Sequence, residues 1–186
     1  MRKIIAIEWF SLDGYIAGAN GEIDWFVWNE EIEEYSKEVM SSSDTMLFGR
    51  LTYELMAAYW PTPTSDTENK TITDFMNNTP KIVFSKSLSK VEWNNSSLVS
   101  EIEDQYIIEM KQRPGNDILI YGSGSIVSQL TKMRLIDEYR IFLNPVVLGS
   151  GKPLFQNPGE RCTFNLMNIK HFKGGNVLLQ YSNINS

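Results

Sequence analysis

The order of apolar and polar residues divides this chain into short buried runs and amphipathic stretches. Ile4-Ile-Ala-Ile-Glu-Trp-Phe10 is an apolar run broken only by Glu8, and it reads as a strand. Ser11-Leu-Asp-Gly14 follows as a turn, then Tyr15-Ile-Ala-Gly18 and the polar loop Ala19-Asn-Gly-Glu22. A helix is predicted from about Asn29 to Met40, with Ile32, Tyr35 and Val39 on one face and glutamates near its start, where the dipole favours them. Thr45-Met-Leu-Phe48 is a short buried strand ending at Gly49-Arg50. Leu51, Leu55 and Tyr59 then mark a second helix by their four-residue spacing, and Trp60-Pro-Thr-Pro63 stops it.

A polar loop with a single helical turn is expected up to Pro80. Lys81-Ile-Val-Phe-Ser85 is the next strand, Ser97–Ser100 another short one, and Asp104–Gln112 a helix. Pro114-Gly115 turns into Asp117-Ile-Leu-Ile-Tyr121, a buried strand that runs through Gly122-Ser-Gly124 into an amphipathic helix from Ser125 to about Met133. Asp137–Val147 is predicted as one long strand and Gly149–Pro153 as a loop. Two alternating segments, 162–171 and 176–184, form a hairpin through Gly174-Gly175. Strands alternate with helices up to about residue 147 and then follow one another. That order predicts a three-layer α/β fold with a mainly parallel central sheet and an antiparallel C-terminal edge hairpin. No linker or internal repeat divides the chain, so residues 1–186 are expected to form one domain.

Composition narrows the partners. Net charge is −6, with no basic stripe, so nucleic acid is not an expected ligand. No apolar run reaches membrane-spanning length. Cys162 is the only cysteine and His171 the only histidine, which leaves no intrachain disulfide and no His/Cys zinc set. The cysteine usage fits a reducing cytoplasm. His171 lies in an alternating segment where a surface or packing role accounts for it.

The candidate chemistry gathers at three strand ends: Gly49-Arg50-Leu-Thr52, Ser85-Lys86 and Gly122-Ser-Gly-Ser125. In an open parallel sheet such ends share one edge, where ligands bind. The Gly/Ser turn opens a helix whose unpaired amides and positive dipole end suit a pyrophosphate. Arg50 and Lys86 could clamp a further phosphate, with Thr52 and Ser85 as extra donors. Taken singly, Arg50 is also explained as a helix-start residue and Lys86 as a solvated one. Trp25, Phe26 and Trp28 could stack on a flat ring or simply bury against the first helix.

The set Ser11-Leu-Asp-Gly-Tyr-Ile-Ala17, Phe48-Gly-Arg-Leu-Thr-Tyr-Glu54, Tyr121-Gly-Ser-Gly-Ser-Ile126 and Pro145-Val-Val-Leu-Gly-Ser-Gly151 with Leu154-Phe155 resembles the dihydrofolate-reductase-like superfamily. Within it, the chain is most similar to the branch holding the reductase domain of bacterial riboflavin biosynthesis. The resemblance covers nearly the whole chain. It implies NADPH as cofactor, with hydride delivered to a small heterocycle or ribosyl-pyrimidine. Carried over by position, Gly49, Arg50 and Thr52 would hold phosphates, Ser85 and Lys86 the adenosine 2′-phosphate side, and Gly122, Ser123, Gly124, Ser125 and Ile126 the pyrophosphate. Ile16 and Ala17 would offer backbone groups to the nicotinamide carboxamide. By analogy with folate reductases, an acid after a loop tryptophan would supply a proton. Glu30 is the candidate, with Trp25 and Trp28 at the substrate, although acids in a first helical turn are commonplace and are more simply explained as solvent-exposed capping charges. The resemblance further implies a homodimer, with the 137–147 strand and Pro145–Leu148 as its expected contact. A nucleotide- or pterin-binding module of the same fold without turnover, or a dihydrofolate reductase, stands as the alternative.

Overall fold

The computed structural model describes residues 1–62, 69–155 and 160–184. Eight strands form one sheet. They are β1 (Ile4–Phe10), β3 (Ser43–Gly49), β4 (Lys81–Phe84), β5 (Ser96–Val99), β6 (Asp117–Tyr121), β7 (Glu138–Leu143), β9 (Phe164–His171) and β10 (Val177–Asn183). Their order is β5-β4-β3-β6-β1-β7-β10-β9. The first six strands in that order are parallel, while β10 runs antiparallel to both β7 and β9. Two short strands, β2 (Tyr15–Ala17) and β8 (Lys152–Pro153), pair separately. This is the expected α/β arrangement, with the antiparallel pair at the edge.

Burial explains the layers. β1 lies between β6 and β7, so both of its faces are covered and its residues from Ile4 to Trp9 are all buried. Alternation sends Ile5, Ile7 and Trp9 into one apolar core and Ile4 and Ala6 into the other. The first core is closed by α1 (Glu30–Ser41), α2 (Arg50–Tyr59) and α3 (Lys70–Asn78). The second is closed by α4 (Asp104–Gln112) and α5 (Gly124–Lys132). Helix α1 begins where the pattern placed it, because the Asn29 side chain accepts the Ile32 amide at 3.1 Å and caps the helix.

Three expectations need correction. The single turn expected before Pro80 is the nine-residue helix α3, capped by Asn69, with Ile72 and Met76 one turn apart and buried. Residues 63–68 of the expected loop lie outside the described residues. The long strand expected over 137–147 ends at Leu143. Pro145 has no amide to donate, and the buried Asn144 side chain takes over the bonding there. Its Nδ2 donates to the Phe10 and Phe142 carbonyls, and its Oδ1 accepts from the Val27 amide and Asn176 Nδ2. Finally, Lys152–Pro153 is the strand β8 rather than loop.

Lys81 joins α3 to the sheet. It is 1% exposed, and its ammonium donates to the carbonyls of Asn77, Thr79 and Asn94 while lying 4.4 Å from the Trp93 ring centre. No helix among the described residues is long and apolar enough to cross a membrane.

Candidate functional site

A cleft of about 640 Å³ opens at the carboxyl edge of the parallel strands. Its origin is a divergence in the sheet. The β1–β6 pairing ends at Ile7 with Tyr121, whereas β1 stays paired with β7 as far as Phe10 with Leu143. The last bond on the β6 side is Gly122 N–H to the Ile7 carbonyl, 3.0 Å. Beyond it the chain turns away through Gly122 and Ser123 into α5, and Glu8 and Trp9 border the resulting gap.

One wall is the start of α5. Gly122 (φ +68°) and Ser123 (φ +65°) are both left-handed, a conformation that costs little for glycine and more for serine. Ser123 is held there because its buried Oγ accepts the Gly49 amide at 2.9 Å. The first amides of α5 have no intrahelical acceptor and lie at the positive end of the dipole. Ser125, Ser128 and Lys132 continue this wall along one helical face.

The opposite wall joins two loops that are far apart in sequence. Asp13 accepts the Leu148 and Gly149 amides at 3.1 and 2.8 Å. Its carboxyl is held below the usual range by the Ser11 hydroxyl and these two amides. Ser11 Oγ in turn accepts the Tyr15 amide. The β2–β8 pair then sets Ile16 and Ala17 beside Lys152, Pro153 and Leu154. Gly151 has to be glycine here, because a Cβ would clash with the Ala17 carbonyl.

The floor is aromatic. Trp9 stacks between Phe26 and Phe142, at 5.4 and 5.0 Å, with Tyr121 at 5.0 Å. Leu51, Thr52, Leu55 and Met56 of α2 close that side. Two residues of the cleft wall carry buried polar atoms with no hydrogen-bond partner among the described residues: Glu8 Oε1 and Trp9 Nε1. Glu8 is 3% exposed and is the only carboxylate among the described lining residues. Burial pushes its carboxyl up to about 8.

Seven of the sequence-predicted residues meet on this cleft: Ile16, Ala17, Thr52, Gly122, Ser123, Gly124 and Ser125. Ile126 is buried beneath them in the second core, and Gly49 is joined to them through Ser123. Arg50 and Lys86 stand at the ends of β3 and β4 as expected, but outside the walls. Each is paired with an acid, Arg50 with Glu54 at 2.9 Å and Lys86 with Glu101 at 2.8 Å. Ser85 Oγ accepts the Ser87 and Leu88 amides. Glu30 is exposed in the first turn of α1 and does not line the cleft. Trp28 is 46% exposed, and Trp25 packs edge-on against Phe26, which is the member of that aromatic group that reaches the cleft. Glu8, Trp9 and Tyr121 were missed as site residues because each sits inside an apolar strand. The one available signal was the acid at position 8.

Residues 2–178 match the family model described as the RibD C-terminal domain. The chain belongs to that family. It is 31% identical over 180 residues to the uncharacterized protein YyaP of Bacillus subtilis (strain 168), covering 97% of this chain and 94% of that one. Among solved structures, a putative riboflavin biosynthesis protein from Shewanella sp. PV-4 superposes with a TM-score of 0.78 at 23% identity, over 97% of this chain and 98% of the other. A dihydrofolate reductase from Enterococcus faecalis complexed with NADP(H) gives a TM-score of 0.61 at 15% identity, over 98% and 96%. The RibD C-terminal-domain chain described here therefore has the dihydrofolate-reductase-like fold.

Proposed function

We propose that the chain is an NADPH-dependent reductase acting on a small flat heterocycle of the pyrimidine or pterin type. The observation that carries this reading is one continuous cleft that joins the α5 amino end to an aromatic floor. The residues present fit the cofactor. Gly122, Ser123, Gly124 and Ser125 would take the pyrophosphate on backbone amides, and Thr52 adds a hydroxyl. Arg50 and Lys86 would turn to the adenosine phosphate, since exposed pairs with Glu54 and Glu101 are weak enough to exchange. When bound, NADPH supplies the hydride, and the chemistry of that transfer belongs to the cofactor.

The protein contributes position and dryness. Trp9, Phe26 and Tyr121 offer stacking surface for a planar acceptor, and Leu55 and Met56 exclude water beside it. The Asp13 and β2–β8 links hold the first loop against Lys152–Leu154, so that this wall keeps its distance from α5. The family membership and the fold shared with an NADP(H)-complexed reductase support the same reading.

Steady loss of dihydronicotinamide absorbance with pterins, dihydrofolate or aminopyrimidines as acceptors tests it. A second reading, a nucleotide- or pterin-binding module without turnover, is favoured by one fact: Glu30, the expected proton donor, stands away from the cleft. Saturable NADPH binding with no oxidation by any acceptor would select that reading.

A further inference from the structure

We propose that Glu8 is the side chain that reads the carboxamide of the nicotinamide ring, as a neutral carboxylic acid forming a cyclic acid–amide pair of hydrogen bonds. This rests on the reading of the cleft as an NADPH site.

Strand alternation places position 8 on the face of Ile4 and Ala6, both 0% exposed and apolar. An acid there is desolvated. Among the described residues it makes no salt bridge, and its Oε1 has no hydrogen-bond partner there. Buried polar atoms are nearly always paired, so an unpaired one on a cleft wall marks where a ligand group belongs. The face it occupies is the one covered by α5, which carries the pyrophosphate cradle, and its neighbour Ile7 bonds to Gly122 of that cradle. Trp9, the next residue, points to the opposite face, among the aromatic rings expected to meet the acceptor. Glu8 therefore belongs to the cofactor half of the cleft.

The chemistry is complementary. A carboxylic acid has one O–H donor and one carbonyl acceptor on adjacent atoms, and a primary amide has one of each in the same spacing. A carboxylate has no donor and would face the amide oxygen with a like partial charge. The ring's redox state adds a second discrimination, since the oxidised nicotinamide is cationic and the reduced one neutral. Neutral Glu8 suits the reduced form, and ionised Glu8 favours the oxidised form. The other titratable groups on the cleft are Tyr121 of β6, Lys132 of α5 and Lys152 of β8. Burial raises Tyr121 further, so it stays neutral. Both lysines are kept in every variant, so the comparison of wild type with Glu8→Gln isolates position 8.

The test is a set of binding titrations with the full chain between pH 6 and 9.5, using tryptophan fluorescence. The probes are NADPH, NADP+ and 2′,5′-ADP, the last of which lacks the nicotinamide. Glu8→Leu is expected to weaken NADPH by about tenfold at pH 7, one lost hydrogen-bonded contact, and to leave 2′,5′-ADP unchanged. Glu8→Gln keeps a donor and an acceptor, so NADPH affinity is expected within about threefold of wild type. Only in wild type should the NADPH-to-NADP+ preference fall as pH passes 8, by up to about tenfold per unit. Equal NADPH affinity in wild type and Glu8→Leu, or the same pH dependence in Glu8→Gln, overturns the role of Glu8. An effect of equal size on 2′,5′-ADP also overturns it, because that marks a general structural loss. If wild type binds none of the three probes, the cofactor reading itself fails.

Discussion

The amide of Gly49 donates to Ser123 Oγ at 2.9 Å, so the residue that ends β3 is tied to the residue that starts the α5 cradle. Both ends of this bond are buried. Ser123→Ala leaves an unpaired N–H and is expected to cost about 1–3 kcal/mol, read as a lower urea midpoint. Ser123→Gly loses the same bond but relieves the left-handed backbone, and should be the more stable of the two by about 1 kcal/mol. Equal stability of the Ala variant and wild type would remove this link from the account.

Glu8 should also appear in the pH dependence of folding. Its carboxyl is raised from 4.5 to about 8 in the folded chain. Below about 4.5 both states are protonated, and its contribution is fully present. Between that value and about 8 the unfolded chain ionises first. The folded state then holds the extra proton, and stability falls with rising pH by up to about 1.4 kcal/mol per unit. Glu8→Gln lacks this slope, so urea denaturation at pH 5 and pH 8.5 should show the variant gaining on wild type. A constant difference between the two would contradict it.

Lys81 is expected to be a stability residue with no part in ligand binding. Lys81→Met leaves the carbonyls of Asn77, Thr79 and Asn94 without their shared donor. Thermal unfolding should show a loss of roughly 3 kcal/mol. NADPH affinity at a temperature where the variant is folded should be unchanged.

Asp13 locks the Ser11–Gly14 turn to Gly149. Asp13→Ala should raise amide hydrogen exchange at Leu148 and Gly149 by at least roughly an order of magnitude while leaving β1 protected. NADPH binding should weaken with it, since the β2–β8 wall loses its anchor. Unaltered exchange at these two amides would show that the loop is held by other contacts.

The chain pattern alone was enough for much of this molecule. Continuous apolar runs placed β1 and β6, one-face spacings placed α1 and α2, and the run of strands after Asp137 marked the antiparallel edge, because burial in a layered sheet imposes those patterns directly. The Gly/Ser turn after Tyr121 was legible for a similar reason: left-handed backbone at two adjacent positions calls for small residues. Even the pairing of Ser11-Leu-Asp-Gly14 with Gly149-Ser-Gly151 was visible as two motifs, though not as a contact. Helix α3 was underread because only Ile72 and Met76 mark its buried face. The length of β7 was overread because Pro145 lacks an amide and the Asn144 side chain is engaged by Phe10 and Val27, both over a hundred positions away.

The tertiary structure alone decided which residues face the cleft. In a buried strand every position looks like core, so Glu8 in the sequence was an interruption and Trp9 one more apolar residue. Only the parting of β1 from β6 after Ile7, set by the turn at Gly122, opens a gap beside them. Exposure to a ligand is a property of strand ends and their neighbours, not of local spacing. The same geometry separates Glu30 from the site, because its place in the first turn of α1 sets it in solvent. The sequence determined the layers and the cradle. The packing of distant strands determined the acid that faces it.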